Sequence, residues 1–122
     1  MPPRSLLRGF LLLWVAAGLV LFVGAAETVR AAWTSAQHAN PHITLLGAVE
    51  AIAALAFLMP RTMRVGAAGL IATITIALGA HAALGQYRGD LLLYGVVVLF
   101  VAIHGPLTSA QWRAAVARPG PR

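Results

Sequence analysis

The sequence has no cysteine, no lysine and only three acidic side chains, Glu27, Glu50 and Asp90. Without cysteine there is no disulfide, no thiolate nucleophile and no cysteine-held iron–sulfur cluster. Charged residues make up 10% of the 122 positions, against about 25% in soluble domains. A soluble fold so poor in charge cannot cover its own surface. The sequence also lacks a glycine-rich phosphate loop, a serine-nucleophile motif and paired carboxylates, which argues against a hydrolase of soluble substrates.

What is present is apolar: 60% of the residues, against roughly 45–50% in globular chains. A helix needs about 20 apolar residues to cross the hydrocarbon core of a bilayer. Four segments meet or approach that length, and the chain reads as one membrane domain over residues 1–122, with helices at about 6–27, 42–59, 64–87 and 91–112. The last of these either stops at the His104-Gly105-Pro106 break or continues past it, kinked. The tail 117–122 is expected to be flexible. Asn40-Pro41 reads as a helix start with proline at the first helical position, Pro60 as a stop, and Thr62 and Asp90 as N-caps. An amino-terminal secretory signal is the competing reading of the first segment. Its apolar run exceeds the 7–15 residues usual for such a signal, so a membrane helix is preferred.

The net charge is +6, yet the nine arginines sit between apolar segments and at the termini. They form no stripe of the kind nucleic acid requires, so no nucleic-acid partner is expected. If four helices alternate, Arg4, Arg8, Arg61, Arg64, Arg113, Arg118 and Arg122 fall on one side and Arg30 and Arg88 on the other. This is the positive-inside pattern. The expected fold is therefore all-α: a polytopic, antiparallel bundle of four transmembrane helices, with both termini cytoplasmic, in a bacterial inner membrane. Small residues should let the helices approach closely, with Gly47–Ala51 and Ala68–Ala72 as small-xxx-small pairs. Trp33, Trp112, Tyr87 and Tyr94 fall near the expected membrane boundaries, as an aromatic belt would.

Few ionisable groups lie within or beside the apolar segments. Glu50 is central to the second helix and shares a face with Ile43, Gly47, Ala54 and Phe57. An acid at that depth must face the bundle interior or a cavity. It is either structural glue or a ligand-contact or proton-relay group. His81, in the outer half of the third helix, is its candidate partner, and Glu27 could line the mouth of a shared outward cavity. The plainer reading of Glu27 is a surface ion pair with Arg30. A metal site is not the expected reading. Its candidates are His38, His42 and His81, but Asn40-Pro41 separates the first two, so their spacing of four is not that of one helix face. Thr73 and Thr75 are expected to bond their own backbone.

The run Leu46-Gly47-Ala48-Val49-Glu50, then Met59-Pro60-Arg61 and Arg64-Val65-Gly66-Ala67 through to His81, resembles the DoxX-like family of four-helix membrane proteins. Gly47 and Glu50 match that family's Gly-x-x-Glu element, and His81 matches a histidine late in the third helix. Relatives often carry a lysine near the end of the first helix, where this chain has Glu27. The family takes its name from a subunit of a thiosulfate:quinone oxidoreductase. The resemblance implies a non-catalytic accessory subunit of a larger membrane complex, of the respiratory or redox-linked kind, with the bilayer and other membrane subunits as partners. A homo-oligomer is the alternative assembly. It further implies quinone or lipid as the ligand of any cavity at Glu50 and His81. Two alternatives follow: a small binding or transporter-like protein using that cavity, or a quinone-contacting oxidoreductase subunit.

Overall fold

A computed structural model describes residues 3–34, 41–105 and 109–117 of the chain. These residues are all-α: four long helices, α1 (Arg4–Thr34), α2 (Pro41–Leu58), α3 (Met63–Ala83) and α4 (Gly89–His104), and a short α5 (Ser109–Val116). The first three are long and apolar enough to cross a membrane, and α4 is a shorter apolar helix. Leu12, Ile52, Val65 and Ile103 are 70%, 67%, 73% and 68% exposed. Large apolar side chains facing outward from every long helix belong to a molecule solvated by lipid. The chain is a membrane protein.

Among the described residues α1 packs on α2, α2 on α3 and α3 on α4, while α1 also touches α4 and α5; α2 does not meet α4, nor α1 α3. The core runs down the middle, built from Trp14, Leu21, Ala54, Phe57, Met63, Leu70, Val98 and Val101 with smaller residues between them. Backbones approach most closely at Gly66, where an added Cβ would lie 2.6 Å from the Phe57 Cα and 2.6 Å from the Ala53 carbonyl oxygen. Gly69 lies against Ala53. The α3 seam is therefore formed by Gly66 and Gly69. The expected Ala68–Ala72 pair is exposed and takes no part in it. Gly47 does serve as a contact, facing Ala25, Thr28 and Val29 of α1.

Proline chemistry explains the end of α2. Pro60 has no N–H, so the Ala56 carbonyl lacks its i+4 donor and accepts the Thr62 hydroxyl at 2.8 Å beside the Met59 N–H at 3.3 Å. The Phe57 carbonyl accepts the indole N–H of Trp14 at 2.7 Å. Thr62 is the N-cap residue of α3, as expected, but its hydroxyl makes no cap bond to that helix, because it is turned back to α2. Asp90 is not the N-cap of α4. Arg88 holds that position, and α4 has no side-chain cap bond there.

Three helix limits differ from expectation. Helix α1 runs to Thr34, seven residues past the expected 27. At 31 residues it is ~46 Å long, more than the ~30 Å hydrocarbon core. Helix α3 stops at Ala83 and not near Tyr87, because Gly85 takes a left-handed φ of 70°. The Gln86 N–H then bonds the His81 carbonyl at 2.9 Å and the Gly85 N–H bonds the Ala82 carbonyl at 3.0 Å, the two bonds of a Schellman cap. Helix α4 ends at His104, and α5 is a separate element after Gly105. His38 and the tail from 118 onward lie outside the described residues.

Candidate functional site

Glu50 lies eight residues from the end of α2 and nine from its start, ~12–13 Å from either by the helical rise. Its helical neighbours Gly47, Ala54 and Phe57 are buried, whereas Ile43 is 47% exposed. Glu50 itself is half-buried. It makes no hydrogen bond or ion pair among the described residues. The face it occupies packs on α1 through Gly47 and on α3 through Ala53 and Phe57. Continuing the α2–α3 register from the Gly66–Phe57 and Gly69–Ala53 contacts brings Glu50 level with about residue 72 of α3. Buried Thr73 is at that level, its hydroxyl donating to the Leu70 carbonyl at 3.0 Å. Thr75 likewise donates to the Ile71 carbonyl.

His81 is about nine residues beyond that level, ~13 Å along α3. Its Nδ1 lies 3.1 Å from Gln86 Oε1, and its carbonyl is part of the α3 cap. The side chain thus belongs to the end of the helix, and its partner Gln86 was not singled out from the sequence. The signal was available in part: a glycine two residues past the helix is the pattern of a Schellman cap, which brings the residue after it back to the last turn.

Glu27 is exposed and shares a shallow groove of about 420 Å³ on the outside of α1 with Leu19, Val20, Val23 and Gly24. Ala25 and Val29 face α2, and Glu27, two residues from each, is turned roughly 160–200° away from them. Glu27 and Glu50 therefore look in different directions. The expected Glu27–Arg30 ion pair is not among the contacts of the described residues. The ion pair found there is Arg88–Asp90, with N–O distances of 2.9 and 2.6 Å.

Among the described residues no group of three His, Asp or Glu side chains is placed to hold a metal ion. His42 is on the exposed start of α2 and His81 is engaged with Gln86. His104 bonds its own helix, its Nδ1–H donating to the Phe100 carbonyl at 2.8 Å while its ring lies on Phe100 at 4.2 Å. Tyr94, expected near a membrane boundary, is partly buried against the core. An apolar groove of about 230 Å³ runs between α3 and α4, lined by Ile71, Ile74, Leu78, Gly95 and Leu99 among others.

What the arrangement offers chemically is one isolated carboxyl group at mid-helix depth, with no nucleophile or second acid beside it among the contacts described. Searches of curated proteins and of solved structures found no significant match. The sequence matches the DoxX-like family over residues 6–105, a stretch that takes in α2, α3, α4 and all but the first two residues of α1, together with Gly47, Glu50 and His81, and the chain belongs to that family.

Proposed function

We propose that the chain is a single four-span domain that serves as a non-catalytic accessory subunit of a larger membrane assembly. The redox-linked kind, working with quinone, is the class that family membership favours. The observation that carries this reading is Glu50. A carboxyl group at that depth costs several kcal/mol unless something meets it, and no described side chain of its own chain does. A neighbouring subunit that supplies a hydrogen-bonding or basic group to the half-exposed carboxyl removes that cost. The small extramembrane mass fits the same role.

Antiparallel packing is supported by the order of contacts along α1 and α2: Trp14 meets Phe57, and further along α1, Ala25 and Val29 meet Gly47. The side assignment, with both termini cytoplasmic in a bacterial inner membrane, follows from the arginine distribution.

The test is native purification in mild detergent with mass spectrometry of whatever remains bound. Stoichiometric membrane subunits are expected, and Glu50→Gln should reduce their retention at least severalfold while leaving the helical content of the chain unchanged. A chain that purifies alone, holding a quinone or lipid that Glu50→Gln releases, overturns the accessory reading in favour of a binding protein.

A further inference from the structure

The two ends of the molecule differ in charge. Arg4 and Arg8 open α1, Arg61 lies in the α2–α3 turn, Arg64 begins α3 and Arg113 is on α5. These segments are brought to one end by packing: α5 lies on α1, Arg8 donates to the Ala117 carbonyl at 2.8 Å, and Met63 lies against Gly105 at the end of α4. None of the three acidic side chains is there. Asp90 is bound to Arg88 at the start of α4, Glu27 is near the far end of α1, and Glu50 is eleven residues from Arg61 along the chain.

Within this end the arginines divide by what they touch. Arg8 is committed to holding α5. Arg4, Arg61 and Arg64 are exposed and make no hydrogen bond or ion pair among the described residues. Arg61 and Arg64 also stand on a fixed platform. The turn between them and α2 is pinned by the Thr62 hydroxyl on Ala56 and by the Thr62 N–H on the Met59 carbonyl at 3.1 Å. Between them, Met63 is fully buried, which anchors the backbone that carries both guanidinium groups. A backbone held in this way adds no ordering cost of its own on binding, and the planar guanidinium forks match phosphate oxygens two at a time.

The geometry points to a binding site for the headgroup of an anionic phospholipid at the Arg61–Arg64 turn, with Arg4 adding to the field. The inference rests on the chain spanning a bilayer, and not on the accessory role. Helices that cross the membrane place this turn at headgroup level, where phospholipid phosphate is the abundant anion. Each arginine near such a surface contributes roughly fivefold in affinity, so the pair contributes on the order of twenty-five-fold.

The test uses the full chain in nanodiscs of phosphatidylcholine containing a minor fraction of phosphatidylglycerol, with the lipids retained on extraction counted by native mass spectrometry. The wild-type chain should retain phosphatidylglycerol at least tenfold over its share in the disc. R61Q/R64Q should bring retention near that share, and R30Q, an exposed arginine at the other end, should leave it unchanged. The wild-type preference should also fall as ionic strength rises, since exposed charges are screened. This reading needs no variant to fold. The proposal is overturned if the wild-type chain shows no preference, if the preference is insensitive to salt, if R30Q reduces it as much as R61Q/R64Q, or if millimolar inorganic phosphate displaces the lipid.

Discussion

A buried indole holds the seam between α1 and α2. Trp14 is 1% exposed, and its N–H fills a carbonyl at the end of α2, where helical donors run out. Trp14→Phe keeps an aromatic ring but removes the donor, leaving the Phe57 carbonyl unpaired. Reversible unfolding in detergent should show a loss of about 1–3 kcal/mol, whereas Trp33→Phe, at a position 75% exposed, should change little.

At the scale of elements, α3 shows what the sequence makes legible and what it hides. The existence and order of the apolar helices can be read from hydropathy, because length and lack of charge are enough to mark a span. Pro41 and Pro60 mark the limits of α2 for steric reasons that do not depend on surroundings. The face of α3 that packs is a different matter. In water a helix advertises its inner face by polarity, but in lipid both faces are apolar, so Ala68–Ala72 and Gly66–Gly69 look equally suitable. Only the second pair meets α2. The end of α3 was obscured in the same way, since Ala82, Ala83 and Leu84 continue the apolar run up to the glycine that breaks it. The candidate site was half legible: the cost of burying Glu50 follows from its position alone, whereas the pairing of His81 with Gln86 depends on the cap. If Gly85 sets that cap, Gly85→Ala should cost about 1–2 kcal/mol, the penalty of a left-handed φ for an L side chain. It should also raise hydrogen exchange selectively at the Gln86 amide. Loss of protection spread evenly over α3 would instead indicate general destabilisation.

For the whole molecule, the decisive question is whether α4 crosses the bilayer. Its 16 residues span ~24 Å, less than the ~30 Å of an average hydrocarbon core, so length alone leaves the crossing open. Two independent features favour it. If α4 did not cross, Arg113, Arg118 and Arg122 would join Arg30 and Arg88, giving five arginines against the four at Arg4, Arg8, Arg61 and Arg64. The bias that orients membrane proteins would vanish. With the crossing, the division is seven to two. The second feature is the bond from Arg8, in the second turn of α1, to the carbonyl of Ala117 just past α5. That bond requires the residues after α4 to return to the end where α1 begins. A short span can be accommodated by local thinning of the bilayer and by flanking side chains that reach to the interface. Reporter fusions at both termini should therefore be active in the cytoplasm and inactive outside it, while a reporter inserted between Arg88 and Gly89 should show the opposite. A carboxy-terminal reporter active on the outer side would mean that α4 lies on the membrane surface and that the Arg8–Ala117 contact does not hold in the bilayer.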